Sequence, residues 1–312
     1  MRRWIKILKD TGTEWYEDDA PRLAASLAYY TLLSTAPLSL LCVSIVGFFF
    51  GERAARGQIA EQIGTVTGPE AAEAIQSVIQ NAHQSDAGVL STIMGILLLL
   101  VGASGVFGEL QTALNNMWGV KPNPQRGMIK DFLMARFLSF TMVLGVAFML
   151  LASLIISAVL SGVGRMLSEA LPGGEALWQV LNFVISLGVI TLLFALIFKF
   201  VPDAEVRWRH VWIGAAVTAL LFSIGKMLLG FYLGKSSVAS AYGAAGSVVA
   251  FVVWVYYAAQ ILFIGAEFTQ VYSRAQGTPI EPAKGAVLAE HADKKKDASD
   301  PSGAVNTSPA RS

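Results

Sequence analysis

The sequence predicts an all-α, polytopic membrane protein with six transmembrane helices. Of its 312 residues, 54% are hydrophobic and only 14% are charged, whereas soluble proteins carry about 25% charged residues. The apolar residues gather in stretches of roughly 20 or more, the length that a helix needs to cross a bilayer. Lysine and arginine concentrate in every second connection between these stretches, which is typical of alternating cytoplasmic and outer loops.

The N-terminal segment, residues 1–22, is predicted to lie on the cytoplasmic face of the membrane. Trp4, Ile5 and Leu8 alternate with basic residues at helical spacing, the pattern of an amphipathic interfacial helix on an anionic bilayer. A polar stretch follows, where a signal peptide would continue with an apolar region. The membrane domain is therefore expected to occupy residues 23–275.

The predicted spans lie near 24–50, 88–108, 138–161, 177–200, 209–230 and 246–270. The first outer loop, about 51–87, is long enough for amphipathic helices of its own, and Pro69 and Glu70 mark a helix start within it. Residues 276–312 are rich in Ala, Ser, Pro, Lys and Asp and are predicted to be a disordered cytoplasmic tail.

The first span has a polar face. Its hydroxyl groups form two rows at helical spacing: Ser26, Tyr30 and Ser34 in one row, and Thr31, Thr35 and Ser39 in the other. Pro37 removes a backbone donor, and nearby hydroxyls can satisfy the freed groups. This face is expected to point away from lipid, either for helix–helix hydrogen bonding or as the lining of a polar cavity.

The connection after the second span, 109–137, carries one apolar helical face and then a stop. Gly119, Pro122 and Pro124 end the helix, so the second span is expected to continue into an interfacial helix and turn back. The residues of this face are Leu110, Ala113, Leu114, Met117 and Trp118. In the fifth span, Ala215, Ala219 and Ser223 form a row of small residues that favours close helix packing.

The sixth span places Glu267 near its cytoplasmic end, and Arg22 and Lys199 are the cations expected to pair with it by depth. Two interpretations stay open for this group: an ion-pair and capping network that holds the bundle together, or a gate or ion-coupling site. The candidate polar pathway or gate comprises Tyr30, Ser34, Pro37, Glu109, Asn115, Lys199, Tyr256, Gln260 and Glu267. Lys226 either extends to the membrane surface or contacts an anionic lipid headgroup.

Three segments carry a resemblance to a known family: "DDAPRLAASLAYYTLLSTAPL", "ALNNMWGV" and "YGAAGSVVAFVVWVYYAAQILFIGAEFT". These segments and their order resemble the YihY/BrkB family over roughly residues 10–275. The resemblance implies a multi-pass protein of the bacterial inner membrane with a transport or lipid-related role. Some members of the family have carried a ribonuclease label.

The residues argue against that ribonuclease label. A metal nuclease needs clustered ligands in a soluble fold, and the three histidines, His83, His210 and His291, fall in separate parts of the predicted topology. The net charge of +1 gives no support to nucleic-acid binding, and no P-loop, Rossmann or Ser/His/Asp motif is recognisable. We therefore expect no enzyme activity, cofactor or metal.

Two functions follow from these observations. The polar first span and the Tyr256–Gln260–Glu267 face favour a transporter or exporter of an envelope-related, lipid-like molecule. The small-residue rows favour a membrane scaffold that supports envelope integrity without transport. Membrane lipids are the expected partners in both cases, and self-association or an envelope protein partner is left open.

Overall fold

The computed structural model describes residues 2–50, 105–123, 174–235 and 246–289. Its helices are α1 (Arg2–Glu17), α2 (Ala20–Phe50), α3 (105–117), α4 (Gly174–Phe200), α5 (Trp208–Lys235) and α6 (Gly246–Ala275). Its strands are β1 (Val120–Pro122), β2 (Ala204–Glu205), β3 (Glu281–Pro282) and β4 (Ala286–Leu288).

Three of the described helices are long and apolar enough to cross a membrane: Val180–Phe200 in α4, Trp208–Leu229 in α5 and Val248–Ala275 in α6. They correspond to the fourth, fifth and sixth predicted spans. The first predicted span lies in α2, whose 31 residues extend about 46 Å. The third predicted span, most of the second and the first outer loop lie outside the described residues, so the number of six stays a prediction.

Helix α6 is the centre of the described structure, because α1, α2 and α5 all pack against it and α4 packs against α5. The buried core joins Leu114 and Met117 of α3, Phe198 of α4, and Phe263 of α6. Dispersion between closely packed side chains holds such a core together within a bilayer, where helices gain little from the hydrophobic effect.

The predicted apolar face of α3 is confirmed. The face is buried in the bundle core, and the interfacial depth of the helix stays a prediction. The indole N–H of Trp118 donates to the carbonyl of Ala266 at 3.1 Å, which fixes the end of α3 against α6. The helix is followed by a turn at Gly119. The φ of this residue is 61°, a left-handed conformation that glycine adopts without strain.

Helices α5 and α6 approach each other through two reciprocal glycine–threonine contacts. Thr269 packs on Gly214, and Thr218 packs on Gly265, so closely that a side-chain carbon on either glycine would overlap the threonine hydroxyl. Each hydroxyl donates at 2.7 Å to the glycine carbonyl four residues earlier in its own helix. Both polar groups are therefore satisfied where the helices are closest.

The row of small residues predicted for the fifth span belongs to the same tightly packed helix. Ala215 and Ala219 are fully buried, and Ser223 is half-buried with its hydroxyl donating to the carbonyl of Ala219 at 2.8 Å. The prediction that this row serves close helix packing is confirmed for the two alanines.

Helix α1 packs across the C-terminal part of α6. Ile7 is buried against Val271 and Tyr272, and the ring of Trp4 stacks on Tyr272 with their centroids 6.1 Å apart. The opposite side of α1 remains exposed, with Ile5 at 63% and Leu8 at 64% exposure. Helix α1 thus has two apolar faces, and contact of the exposed one with the membrane surface stays a prediction.

The predicted disorder of the tail is wrong for residues 276–289. Strand β3 pairs antiparallel with β2, and β4 pairs antiparallel with β1. The all-α class is accordingly modified by two small sheets. The segment is ordered by main-chain hydrogen bonds to the turns after α3 and α4, which do not depend on its low apolar content.

Candidate functional site

The candidate site lies where the junction of α1 and α2 meets α6. The junction is a tight turn, in which Asp19 has a positive φ of 55°; Asp and Asn adopt this region more readily than most residues. The amide of Asp18 donates to the carbonyl of Glu14, and that of Leu23 to Asp19. Asp18 is thereby held at the end of α1, beside α6.

Glu267 is the largest charged side chain that the described bundle encloses completely, with an exposure of 0%. Neither of its oxygens accepts a hydrogen bond from an N–H or O–H group of the described residues. The carboxyl group of Asp18 lies within hydrogen-bonding reach of it. Because a deprotonated carboxylate only accepts hydrogen bonds, a bond between the two groups requires a proton on one of them.

The predicted cationic partners of Glu267 are wrong. Arg22 is exposed and pairs with Asp19 at 3.1 Å. Lys199 turns toward the α4–α5 connection, where its ammonium donates to the carbonyl of Val206 at 2.7 Å and lies 5.7 Å from the centre of the Trp208 ring. A shared depth in the membrane does not determine which way round the helix a side chain points.

Glu14 and Arg274 are charged residues that act on both Asp18 and Glu267. These two residues form an ion pair with each other, with Arg274 Nη2 2.5 Å from Glu14 Oε1. Burial raises the pKa of Asp18, and its hydrogen bond with Glu267 opposes that rise; Glu14 and Glu17 add to the rise, while Arg274 acts against it. Burial and neighbouring acids thus both favour the protonated form of Asp18 over the carboxylate.

A second buried polar group lies on the same face of α6. The Oε1 atom of Gln260, two helical turns before Glu267, is buried and has no hydrogen-bond partner within the described part of the chain. The same holds for Gln270 Oε1 and for the indole nitrogen of Trp15. Gln260 and Glu267 therefore form a line of polar groups from the middle of α6 toward the α1–α2 junction.

The predicted polar face of α2 is buried in part. Ser34 is buried, whereas neighbouring Leu33 is 56% exposed and Tyr30 38% exposed. The Tyr30 ring packs against Gly105 of α3. Pro37 lies within α2, and its side chain lies outside the described part of the structure.

The remaining candidates lie apart from Glu267. Tyr256 is 36% exposed on α6, Glu109 is half-buried on α3, and Lys226 is exposed on α5. The predicted pathway is therefore divided between the Gln260–Glu267 line on α6 and residues in other parts of the bundle.

Asn115 belongs to a different polar cluster, centred on Asp203. Its amide nitrogen donates to Asp203 Oδ2 at 2.9 Å, and its oxygen accepts from the Asp203 amide at 2.8 Å. Gln111 also donates to Asp203 Oδ2, at 3.2 Å. Sequence reasoning missed Asp203, although Pro202–Asp203 between two apolar stretches is a turn signal. This cluster joins α3 to the α4–α5 connection.

His210 was also missed as an interacting residue. It is buried at the start of α5, with its Nδ1 atom 3.1 Å from the hydroxyl of Ser273. Within residues 2–50, 105–123, 174–235 and 246–289, no group of three or more His, Cys, Asp or Glu side chains is placed to hold a metal ion.

Apolar helices of membrane-spanning length around a buried carboxyl define an integral membrane protein. The chain belongs to the family described as Virulence factor BrkB, whose model matches residues 11–287. The match includes β3 and most of β4, beyond the limit near residue 275 that the sequence resemblance indicated.

Several relatives are named as UPF0761 membrane proteins. One from Tolumonas auensis is 30% identical over 261 residues, covering 81% of each chain. One from Pseudomonas paraeruginosa is 30% identical over 264 residues, covering 84% of this chain and 61% of its own length. One from Alteromonas mediterranea is 29% identical over 259 residues. No solved structure is significantly similar to this chain.

Proposed function

We propose that this protein is a transporter or exporter of an envelope-related, lipid-like molecule. The observation that carries the proposal is the line of Gln260 and Glu267 on α6. Gln260 Oε1 and both Glu267 oxygens are buried and accept no hydrogen bond from an N–H or O–H group of the described residues. A buried polar group without a partner costs about 1–3 kcal/mol. Such groups in membrane helices commonly serve substrate or ion pathways, so this line is the best candidate for the polar part of a pathway.

The lipid-like character of the substrate is supported by the apolar outer surface of the described helices. The helices α4 and α5 expose large apolar side chains, including Phe183, Leu220 and Met227. A molecule with an apolar tail and a polar head can keep its tail against such surfaces while its head follows polar groups inside the bundle. The proposal includes no enzymatic step and no cofactor.

A scaffold without transport activity is the second candidate. The reciprocal contacts of Gly214 with Thr269 and of Gly265 with Thr218 favour it, because they fix α5 against α6 at minimal separation. Rigid packing of these two helices is also compatible with transport if another interface moves. The buried, unpartnered Oε1 atom of Gln260 has no evident use in a scaffold, which is why we place transport first.

We further propose six spans in the bacterial inner membrane with both termini in the cytoplasm, on the basis of the alternating Lys/Arg distribution. A cysteine introduced at Ala72, in a chain whose single cysteine has been replaced by Cys42→Ser, should react with a membrane-impermeant maleimide added to intact spheroplasts. A cysteine at Asn123 should react only after the membrane is opened. The opposite labelling pattern would contradict this topology.

Transport is tested with the full-length protein in liposomes that contain a fluorescent phospholipid analogue. We expect the wild-type protein to move the analogue between leaflets, measured by quenching with an impermeant reductant. Gln260→Leu should strongly reduce the rate, because it removes a polar group from the middle of the proposed path.

Gln276→Leu is the matched control, since Gln276 is exposed beyond the end of α6. It should transfer the analogue at the wild-type rate, and both variants should show the wild-type melting temperature within a few degrees. A wild-type protein that moves neither phospholipid nor lipopolysaccharide analogues would leave the scaffold as the better proposal.

A further inference from the structure

The α1–α2 junction meets α6 at a pair of acidic side chains. Asp18 reaches Glu267, and the oxygens of Glu267 have no donor from the rest of the described chain. An acid pair at a helix contact is unusual, because two carboxylates side by side repel each other strongly in a low-dielectric interior. One proton held between them converts this repulsion into a hydrogen bond.

We infer that Asp18 and Glu267 form a proton-binding site that couples proton release to movement of the α1–α2 junction on α6. This inference rests on the proposed transport function and adds its energy source, a proton gradient. The ligand is a proton, and binding it breaks and forms only O–H bonds. The proton passes from the shared carboxyl to water, which leaves two carboxylates and changes no oxidation state.

The location of the pair explains how one proton can act on the structure. Glu267 lies on the central helix, whereas Asp18 lies at a turn between two helices, where Asp19 has a left-handed conformation. With the proton bound, the pair holds this turn against α6. When the proton leaves, the two carboxylates repel each other, and we expect the turn, with the end of α1 and the start of α2, to shift relative to α6.

The other charges around the pair determine its response to pH. Glu14 and Glu17 of α1 face it with negative charge, and Arg274 of α6 faces it with positive charge. Arg274 is already engaged by Glu14 at 2.5 Å, so its charge is largely offset. Asp19 of the turn and Arg22 of α2 are exposed and neutralise each other. The surroundings therefore favour retention of the proton.

The raised pKa of Asp18 determines whether the folded protein becomes more or less stable as the pH rises. Burial raises the pKa of Asp18 above its ordinary value, which is about 3.9 in an unfolded chain. Between that value and the raised pKa, the folded protein holds a proton that the unfolded protein has released. The free energy of unfolding must therefore fall as the pH rises through this window.

The test uses full-length protein in liposomes and three independent readings. Infrared difference spectra on raising the pH should show loss of a protonated carboxylic acid in the wild type, and no such change in Glu267→Gln. The melting temperature should fall with rising pH in the wild type and depend less on pH in Asp18→Asn. An imposed pH gradient should change the initial rate of lipid transfer in the wild type.

Asp19→Asn is the matched control. Asp19 is adjacent to Asp18 but exposed and paired with Arg22, so this variant should keep the wild-type infrared signal and pH dependence. Sodium is the alternative ligand of an acidic pair. If exchanging potassium for sodium at constant pH raises the melting temperature and Glu267→Gln abolishes that rise, the proton assignment is overturned.

The readings separate this inference from the proposed function. The inference is overturned, and the transport proposal is kept, if the rate of lipid transfer does not depend on the pH gradient and no carboxylic acid titrates in the infrared spectra. A titrating acid at Glu267 without transfer of any lipid analogue overturns both transport and its coupling. A gradient response that disappears in Asp18→Asn but persists in Asp19→Asn supports the coupling.

Discussion

Gly265→Leu is expected to lower the free energy of unfolding by about 3 kcal/mol, the upper part of the usual range for overpacking a tight core. The Cβ atom alone would overlap the hydroxyl of Thr218, and it would lie 2.8 Å from Thr218 Cβ and 2.9 Å from its methyl carbon. Helix α5 would have to move away from α6. Thermal unfolding in detergent measures the loss.

Two companion variants test the explanation. Gly188→Leu places the same side chain on α4 at a site where a Cβ atom meets nothing within 4 Å, and it should unfold close to the wild-type temperature. Thr218→Gly combined with Gly265→Ala should be more stable than Gly265→Ala combined with an intact Thr218. If the double variant is no better, overlap with Thr218 is not the cause.

Asn115→Asp is expected to destabilise the protein by a similar amount, about 3 kcal/mol, because it places a second carboxylate against Asp203. The amide nitrogen that now donates to Asp203 Oδ2 at 2.9 Å would become an acceptor. Since Asn115 is 5% exposed, water screens the repulsion poorly. Thermal unfolding of the variant beside the wild type measures the loss.

Asn116→Asp is the matched control for this change. Asn116 is the next residue, is exposed, and makes a single 3.1 Å hydrogen bond to the carbonyl of Asp18. Exposed substitutions usually change stability by about 0.5 kcal/mol or less. Equal destabilisation by the two variants would show that general charge, and not the Asn115–Asp203 contact, is responsible.

The sequence predicts the parts of the fold in which one apolar pattern extends over many residues. The three described spans follow from long apolar stretches, and the buried face of α3 follows from helical spacing of Leu110, Leu114 and Trp118. The pairing of β3 with β2 and of β4 with β1 was not readable. Strands of two or three residues carry no periodic pattern, and their partners are remote in the chain.

The candidate site was readable only in part. The sequence identifies Glu267 as a costly acid near a helix end, because its depth follows from its position in α6. Its neighbour depends on rotation about the helix axis and on the turn at Asp19, which no spacing rule predicts. The close approach of α5 and α6 could have been predicted from Gly214–Thr218 and Gly265–Thr269, since small residues four apart favour close helix packing.

The packing of α1 on α6 has a consequence for the order in which the chain assembles. Arg3 donates to the carbonyl of Ala275, 272 residues later. At about 5–20 residues per second, synthesis of that stretch takes about 14–54 s. During this interval α1 is already made while its docking surface does not yet exist, and Ile7 has no partner on α6. Helix α1 thus cannot reach its final place until α6 has been made, and the Asp18–Glu267 pair forms only after Glu267 has been synthesised.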